Sequence, residues 1–273
     1  MFIILAGYGK TFSFPRPGLL KNMKIFIINL ENSVARRLQM QKQMSNLGLP
    51  FEFIKAVDGR LMSDKQIKQA TSIINYAFLP GEIGCALSHQ LVYKKMIDDN
   101  IDTALILEDD VILHADTGNI LVNLNLSNNR PEVVLLSRVN KYLKKPTRNI
   151  TGHYSLHKTH QATTAHSYLI NKQAAESLLT HLYPVWMTAD KWTFFEELSL
   201  LTVYSVIPHP VSLSEESNSS TININKGNSD LDRQKKEIWQ ELMLKRPLKA
   251  KIKHRYRRAV VPLFHKITDQ GKG

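Results

Sequence analysis

The sequence predicts an α/β domain in which a mostly parallel sheet is covered by helices on both faces. Short apolar segments of strand length alternate with longer helix-like segments between residues 23 and 211, and this alternation is typical of such domains. Hydrophobic residues make up 43% of the 273-residue chain, so the domain can bury a sizeable core. No internal repeat interrupts the alternation.

The first predicted strand follows an irregular N-terminal segment. Glycine and proline recur through residues 1–22, and we expect this segment to be a non-native or flexible extension before a natural start at Met23. The apolar run 24–30 then ends at polar turn residues, as a buried strand does. Ser33 is placed to cap a helix that extends to about Leu47 and ends at the following glycine.

The later elements continue the alternation. Residues 51–57 alternate like a second strand, which turns at Asp58 and Gly59. A helix is predicted over residues 81–99, directly after Pro80. The other predicted strands are 103–107, 111–113 and 133–136, and further helices are predicted over 171–181, 191–201 and about 231–244.

The net charge of +12 is concentrated near the C-terminus. Residues 233–273 hold 13 Lys and Arg against 3 Asp and Glu, whereas the first 232 residues hold 23 against 21. A nearly neutral body argues against a globally basic nucleic-acid binder and for a localised anionic partner. Proline interrupts this basic tail, so we expect it to be only partly helical. Because apolar side chains are interleaved with its Lys and Arg, we expect it to bind an anionic membrane surface.

Composition also narrows the class of protein to which the chain can belong. The single cysteine, Cys85, excludes an internal disulfide framework and is compatible with a reducing compartment. No apolar run approaches the roughly 20 residues of a spanning helix, so we expect a cytoplasmic protein. Residues 212–232 are rich in Ser, Asn and Glu, and this composition predicts a mobile loop.

The strongest chemical signal is the acidic triplet Glu108-Asp109-Asp110 at the end of an apolar strand. Adjacent carboxylates repel one another unless a cation offsets their charge. Oxygen ligands suit Mg²⁺ or Mn²⁺, and open α/β sheets bind ligands at the carboxyl ends of their strands. The triplet therefore predicts a site for a metal and a nucleotide diphosphate. A solvated acidic turn is the alternative.

Several short blocks place this triplet in a wider pattern. They are residues 27–30 with 36–37, then 56–59, 81–89 and 104–111, followed by 167–171, 189–192 and 219–222. In this order and spacing the chain resembles glycosyltransferase family 25, the bacterial lipooligosaccharide biosynthesis group related to procollagen galactosyltransferases. The resemblance covers about residues 23–225.

The resemblance implies a GT-A type fold, which is a Rossmann-like mixed sheet flanked by helices, followed here by the basic C-terminal tail. It implies inverting transfer of a hexose, with UDP-galactose as the expected donor, to a lipooligosaccharide or lipid-linked oligosaccharide acceptor. The expected location is the inner face of the cytoplasmic membrane of a Gram-negative bacterium, where the protein would be peripheral.

The resemblance also assigns roles to residues. Glu108 and Asp110 correspond to the outer members of a DxD-like motif that binds Mn²⁺ or Mg²⁺, and Asp109 is expected to face the donor sugar or ribose. His209 is a further candidate ligand. The other expected donor-binding residues are Asn29, Leu30, Arg36, Arg37, Asp58, Gly81, Glu82, Ser88 and His89. Structural interpretations of these residues remain open, including His89 as a satisfied core residue and Gly84 as a packing residue.

Inversion requires a carboxylate that deprotonates the acceptor hydroxyl. The resemblance makes Asp190 the candidate base, with Glu196 and Glu197 as alternatives. Asp190 precedes a helix predicted over residues 191–201, so it could instead cap that helix or bind the donor sugar. Residues 212–232 are expected to fold over the bound nucleotide and exclude water.

Two other functions remain open. A phosphohydrolase of the haloacid dehalogenase type also uses an acidic strand end with Mg²⁺, but here Ile112 stands where that chemistry needs a second acid after Asp110. A binding module driven by the basic tail would attach to membranes or nucleic acid. That second function leaves the acidic triplet unexplained.

Overall fold

The computed structural model describes residues 23–127, 129–214 and 229–271 of the chain. The predictions made for residues 1–22 and for 215–228 lie outside this part, as does the matching block at 219–222. Among the helices that are described, none combines the length and the hydropathy that crossing a bilayer requires.

Strands occur throughout the described part of the chain. They are β1 (Met23–Asn29), β2 (Glu52–Lys55), β3 (Thr103–Glu108), β4 (Val111–Leu113), β5 (Glu132–Leu135), β6 (Lys141–Leu143), β7 (Arg148–Thr151), β8 (Tyr154–Gln161), β9 (Ser167–Asn171), β10 (Thr202–Ile207), β11 (Val211–Leu213) and β12 (Ile267–Asp269).

Helices alternate with strands mainly in the first half. They are α1 (Val34–Leu47), α2 (Asp64–Ala70), α3 (Pro80–Asp98), α4 (Thr117–Asn123), α5 (Lys172–Leu182), α6 (Trp192–Glu197), α7 (Ser229–Lys245), α8 (Leu248–Arg255) and α9 (Val261–Phe264). A short 3₁₀ turn at Gly59–Leu61 and a π-helical turn at Tyr256–Val260 complete the set among the described residues.

The described strands form one ten-stranded sheet and a separate pair, β4 with β11. The large sheet has the order β12-β6-β8-β10-β5-β9-β3-β1-β2, with β7 paired to β8. β1 runs parallel to β2 and β3, and β5 runs parallel to β10, whereas the other pairs of this sheet are antiparallel. The predicted α/β class with a mixed sheet is confirmed. Antiparallel pairing is more frequent than the alternation predicted, in part because β7 and β8 are joined by two residues, which only antiparallel neighbours allow.

Alternate residues of β1 belong to two different core clusters. Phe26 and Ile28 pack in the cluster that includes residues of α3 and α5. Ile25 and Ile27 pack in the cluster that includes residues of α1 and α4. Because successive side chains of a strand point to opposite faces, both faces of the sheet are buried under helices, as the apolar run predicted.

The basic C-terminal segment is part of the folded domain. Trp239 and Met243 of α7 pack against one core cluster, and Ala250 of α8 is buried. β12 extends the sheet by pairing with β6. Pro247 separates α7 from α8, as predicted for a partly helical tail.

Regular structure extends into the predicted loop 212–232 from both sides. β11 continues to Leu213 and pairs with β4, and α7 begins at Ser229. The backbone N–H of Ser214 donates to the carbonyl of Asp110 at 2.8 Å. The chain therefore enters this segment directly beside the acidic triplet.

Candidate active site

The acidic triplet lies where two parallel strands end side by side. β1 and β3 are hydrogen-bonded neighbours, and Ile28 is paired with Glu108 in their register. Asn29 and Asp109 are the next residues of the chain after this pair, and they therefore lie side by side at the same edge of the sheet. In open α/β sheets this carboxyl edge is where ligands bind, so the topology places the triplet at a ligand-binding edge.

Asp109 is held by two neighbours from the first part of the chain. Asn29 Nδ2 donates to Asp109 Oδ2 at 2.7 Å, and Arg36 Nη1 donates to Asp109 Oδ1 at 3.2 Å. Asn29 lies at the end of β1 and Arg36 lies on α1. Burial raises the pKa of Asp109 against the opposing effect of these two donors. The carboxylate is thus fixed in orientation by the elements that flank it.

Glu108 lies between two histidines. His166 Nδ1 is 3.0 Å from Glu108 Oε2, and His89 Nε2 is 3.4 Å from Glu108 Oε1. Burial alone would raise the pKa of Glu108. The two histidines outweigh this effect and hold the pKa well below the usual range. Glu108 is therefore ionised at neutral pH.

His89 is also bonded into the core. Its Nδ1 lies 2.7 Å from the Tyr168 hydroxyl, which in turn lies 2.8 Å from the Tyr93 hydroxyl. Burial raises the pKa of both tyrosine hydroxyls above the usual range, so the tyrosines stay neutral. The structural interpretation of His89 as a satisfied buried residue therefore holds, and the same ring also lines the cavity beside the triplet.

Asp110 has a buried oxygen, Oδ1, without a hydrogen-bond partner among the described residues. Three possible ligand atoms lie within 4.8 Å of one another, one from each of Glu108, Asp110 and His166. Burial and the charge of Glu108 raise the pKa of Asp110 to about 6. Two carboxylates and an imidazole suit Mn²⁺, and carboxylates also suit Mg²⁺. The residues present therefore fit a divalent cation.

A second group of ligand atoms is less suited to such an ion. Cys85, His89 and Glu108 also lie within 4.8 Å of one another. Burial raises the pKa of the Cys85 thiol well above its ordinary value, and Glu108 raises it further. Sulfur ligands suit softer metals than Mn²⁺ or Mg²⁺, whereas the group with His166 supplies two carboxylates. The group with His166 is therefore the better candidate.

A cavity of about 300 Å³ opens onto the triplet. The N-terminal turn of the 19-residue α3 borders it at Gly81. Free backbone N–H groups and the helix dipole attract phosphate at such a position. The predicted site residues that line the cavity are Leu30, Arg36, Asp58, Gly81, Ser88, His89, Glu108, Asp109 and Asp110.

The wall of this cavity depends on close contact between α3 and the turn after β2. A Cβ added to Gly84 would lie 2.4 Å from the Val57 carbonyl oxygen and 2.6 Å from the Gly59 nitrogen. Ser88 joins the same contact, because its hydroxyl accepts from the Val57 N–H at 2.8 Å and donates to the Gly84 carbonyl at 2.7 Å. Gly84 is thus a packing residue, and Ser88 has a structural role besides lining the cavity.

Other predicted site residues have different surroundings. The guanidinium of Arg37 stacks 3.9 Å above the Phe53 ring. Glu82 forms an ion pair with Lys235 of α7. His209 Nε2 lies 2.9 Å from Gln270 Oε1, and His209 belongs to neither of the candidate metal groups among the described residues. These three side chains thus contact residues outside the metal-suited group.

Asp190 lies just before α6 but does not cap it. The N-cap residue is Lys191, and the helix is shorter than predicted because the chain turns at Ser199, which has a positive φ of 68°. The Thr188 hydroxyl donates to Asp190 Oδ1 at 2.6 Å, and Lys191 Nζ lies 3.6 Å from the same oxygen. Among several charges around His166, Asp190 also raises the pKa of that ring.

The two alternative bases are bound elsewhere. Glu196 pairs with Lys158 and accepts from the Val203 N–H at 3.1 Å. Glu197 is buried and accepts hydrogen bonds from Arg246 and Arg257 of the C-terminal segment. Both carboxylates have structural partners, whereas Asp190 has only short-range contacts.

His166 is the candidate metal ligand that the sequence reasoning missed. It directly precedes β9, and β9 pairs antiparallel with β3 so that Ser167 is opposite Leu107. The next pair along this register brings His166 to Glu108. A histidine immediately before the matching block 167–171 was the available signal, but its use required the strand pairing.

The fold and the site define an α/β protein with an acidic, metal-suited ligand site at the carboxyl ends of parallel strands. The family model described as glycosyltransferase family 25 (LPS biosynthesis protein) matches residues 22–193. This match covers more than half of the chain, and the chain belongs to glycosyltransferase family 25.

Individual relatives match shorter parts. A glycosyltransferase 25 family member from Aedes aegypti is 40% identical over 100 residues, which cover 32% of this chain and 16% of the relative. Procollagen galactosyltransferase 2 from Homo sapiens is 26% identical over 173 residues, which cover 57% of this chain and 27% of the relative. The matches thus span less than a third of either relative.

A comparison with solved structures matches a glycosyltransferase involved in the glycosylation of the major capsid of PBCV-1. The similarity has a TM-score of 0.31 at 9% identity and covers 73% of this chain and 75% of that chain.

Proposed function

We propose that the protein is an inverting glycosyltransferase that transfers a hexose to a lipooligosaccharide or lipid-linked oligosaccharide acceptor. UDP-galactose is the donor to test first, because one relative is named a procollagen galactosyltransferase. The observation that carries the proposal is the grouping of Glu108, Asp110 and His166, in which the buried Asp110 Oδ1 has no hydrogen-bond partner among the described residues and lies 4.0 Å from His166 Nδ1. Family membership supports glycosyl transfer in general.

The acidic triplet and its neighbours then have chemical tasks. Glu108, Asp110 and His166 would hold Mn²⁺ or Mg²⁺, which when bound neutralises the diphosphate leaving group. Arg36 and the N-terminus of α3 present further positive charge to the same diphosphate. Asp109, oriented by Asn29 and Arg36, accepts a hydrogen bond from a hydroxyl of the donor.

The acceptor hydroxyl attacks the anomeric carbon, the bond from that carbon to the diphosphate oxygen breaks so that UDP leaves, and the hydroxyl proton passes to a carboxylate. We assign this task to Asp190. Its support is that its two contacts, with Thr188 and Lys191, do not bury it in a structural network. Its charge also acts on His166, which indicates proximity to the triplet. A carboxylate within hydrogen-bond reach of the hydroxyl serves as a general base.

A donor profile tests the proposal. Transfer to de-acylated lipooligosaccharide is measured with Mn²⁺ and UDP-galactose, UDP-glucose or their N-acetyl forms. We expect one hexose donor to dominate and transfer to be lost in Asp110→Asn but kept in Asp98→Asn, which changes an exposed carboxylate of α3. Release of phosphate from simple phosphate esters without sugar transfer would instead identify a phosphohydrolase.

The proposed location is the cytoplasmic face of a membrane that carries the acceptor. The C-terminal segment has large apolar side chains that are 58% to 77% exposed, and we name this set the C-terminal apolar face. It consists of Leu244, Leu248, Ile252, Tyr256, Leu263 and Phe264. Exposed basic residues lie beside it in the sequence, namely Lys245, Lys249, Arg255 and Lys266. Apolar side chains bordered by Lys and Arg suit an anionic lipid surface.

A further inference from the structure

A second, larger cavity lies between α6, the C-terminal helices and the end of the sheet formed by β12, β6 and β8. Its volume is about 840 Å³, which is within the range of ligand sites, roughly 300–1,000 Å³. Lys and Arg side chains dominate its charged lining. They are Lys141, Lys191, Arg246, Arg257 and Arg258.

The carboxylates of this cavity do not balance its cations. Glu197 and Asp269 line the cavity, and Lys141 Nζ lies 2.7 Å from Asp269 Oδ2. Lys191 Nζ lies 3.6 Å from Asp190 outside the lining, so three carboxylates oppose the five Lys and Arg side chains.

Glu197 is shared, because Arg257 Nη2 donates to it at 2.7 Å and Arg246 Nη1 donates at 3.4 Å. These guanidiniums are only 19% and 12% exposed. Two largely buried cations on one carboxylate leave a positive charge that an anion would offset.

A neighbouring histidine responds to this positive field. Burial lowers the pKa of His160, and Arg257 and Lys141 lower it further, to about 4. His160 is therefore neutral at physiological pH and can donate or accept a hydrogen bond in the cavity. Arg258 has no ion-pair partner among the described residues. The cavity thus offers both fixed charge and neutral polar groups.

Aromatic side chains form another part of the lining. Phe194 and Trp239 both face the cavity, and their ring centroids are 5.7 Å apart. Flat apolar rings beside fixed cations suit a ligand with an apolar face and an anionic group. A sugar that carries a phosphate or a carboxylate has both features.

The cavity is adjacent to the assigned base. Lys191 lines it and directly follows Asp190, to which it is bonded at 3.6 Å. Ala162 and Thr163 also line it, and the chain continues from them to His166 of the metal-suited group. A sugar chain held in the cavity would therefore lie on the Asp190 side of the donor site.

We propose that this basic cavity binds an anionic group, phosphate or carboxylate, on a sugar of the acceptor next to the one that is glycosylated. The inference rests on the proposed transferase function, because only a transferase has a sugar acceptor. Binding of the anionic sugar itself does not depend on catalysis, so it can be measured separately.

Binding of oligosaccharide from de-acylated lipooligosaccharide provides the test, with isothermal titration calorimetry at fixed ionic strength. The probe is used intact, after dephosphorylation with hydrogen fluoride, and after reduction of its carboxyl groups. We expect the intact probe to bind and one of the two treatments to weaken binding, which identifies phosphate or carboxylate as the recognised group. Equal binding of all three forms would overturn the proposal.

A matched pair of double variants locates the site. Lys141→Gln with Arg258→Gln removes two charges from the cavity, whereas Arg233→Gln with Lys236→Gln removes two exposed charges from α7. We expect the cavity pair to weaken binding of the intact probe about tenfold or more, as loss of charged hydrogen bonds does. The α7 pair should bind the intact probe as the wild type does. Both double variants should bind UDP with the affinity of the wild type. An equal loss in both pairs would show non-specific attraction and contradict the proposal.

Further measurements distinguish rejection of the cavity proposal from poor folding of a variant and from rejection of the transferase function. Circular dichroism and thermal unfolding check the fold, and Arg258→Glu at the exposed rim gives a second variant with an expected larger loss. Normal probe binding without sugar transfer from any donor would reject the transferase function alone. Transfer to charged and uncharged acceptors with equal kcat/KM would reject the cavity proposal alone.

Discussion

His166 and Glu108 are joined twice across neighbouring antiparallel strands. The Glu108 N–H donates to the His166 carbonyl at 2.9 Å, and His166 Nδ1 lies 3.0 Å from Glu108 Oε2. Burial alone would lower the pKa of His166, but Glu108 and Asp110 beside it raise it to about 9. The sheet therefore fixes His166 as a protonated partner of the acidic triplet, and the ring serves as a metal ligand once binding of the cation releases that proton.

Replacement of this histidine should weaken metal binding. His166→Ala removes one of the three grouped ligand atoms, and we expect the Kd for Mn²⁺ to rise about tenfold or more, since even supporting residues of metal sites have effects of this size. Titration followed by electron paramagnetic resonance of free Mn²⁺ measures this. His181→Ala on α5, where the side chain is exposed, is the control. Unchanged Mn²⁺ affinity in His166→Ala would remove this residue from the site.

Asp190→Asn separates the base from a structural residue. Asparagine can still accept the hydrogen bond that the Thr188 hydroxyl donates at 2.6 Å, so we expect unchanged thermal stability. Sugar transfer should fall roughly 10²-fold or more through loss of general-base help, while the affinity for UDP stays near that of the wild type. Transfer assays and calorimetry test both parts. Normal turnover with reduced stability would instead make Asp190 a structural residue.

Gly84→Ala tests the close contact behind the donor cavity. The added Cβ would meet two backbone atoms, the Val57 carbonyl oxygen at 2.4 Å and the Gly59 nitrogen at 2.6 Å. Such overpacking costs about 1–3 kcal/mol, which opposes the gain of about 1 kcal/mol that alanine brings to a helix. We expect a lower free energy of unfolding in urea. Lys94→Ala, at an exposed position of the same helix, should change stability little. A Gly84→Ala protein as stable as Lys94→Ala would refute the contact.

The C-terminal apolar face should bind anionic vesicles. Leu248→Ser with Ile252→Ser removes two exposed apolar side chains, and we expect vesicle affinity to fall about tenfold or more from the lost apolar burial. Co-sedimentation with vesicles of phosphatidylglycerol and phosphatidylcholine measures this, and pure phosphatidylcholine should bind less. Leu61→Ser with Ile73→Ser changes exposed apolar residues elsewhere and serves as the control. Equal binding of the two double variants would count against the face.

Local patterns predicted the elements that carry the triplet. The apolar run of β1 and the strand before Glu108 were recognised because buried strands have continuous apolar runs, and α3 was recognised from Pro80 and its length. Local pattern could not show that β9 pairs with β3, since this contact joins residues about sixty positions apart. His166 was missed for that reason.

Neighbouring residues on a helix posed a second difficulty. Arg36 and Arg37 both fit the family pattern, but adjacent helical residues point in different directions. Arg36 reaches Asp109, whereas Arg37 stacks on Phe53. Likewise, Glu197 was a candidate base by position, and only the packing of the C-terminal helices shows that Arg246 and Arg257 bind it.

Calorimetric titration of UDP in the presence of Mn²⁺ tests the metal–diphosphate site most directly. We expect the wild type to bind UDP with Mn²⁺ and to lose this affinity when EDTA is added, together with sugar transfer. Asp110→Asn should keep the fold, lose nearly all transfer and bind UDP with Mn²⁺ about a hundredfold more weakly, because a charged ligand is lost at the site. Asp98→Asn should behave as the wild type. Full UDP affinity and transfer in EDTA, or wild-type behaviour of Asp110→Asn, would contradict the claim that the acidic triplet forms a metal–diphosphate site.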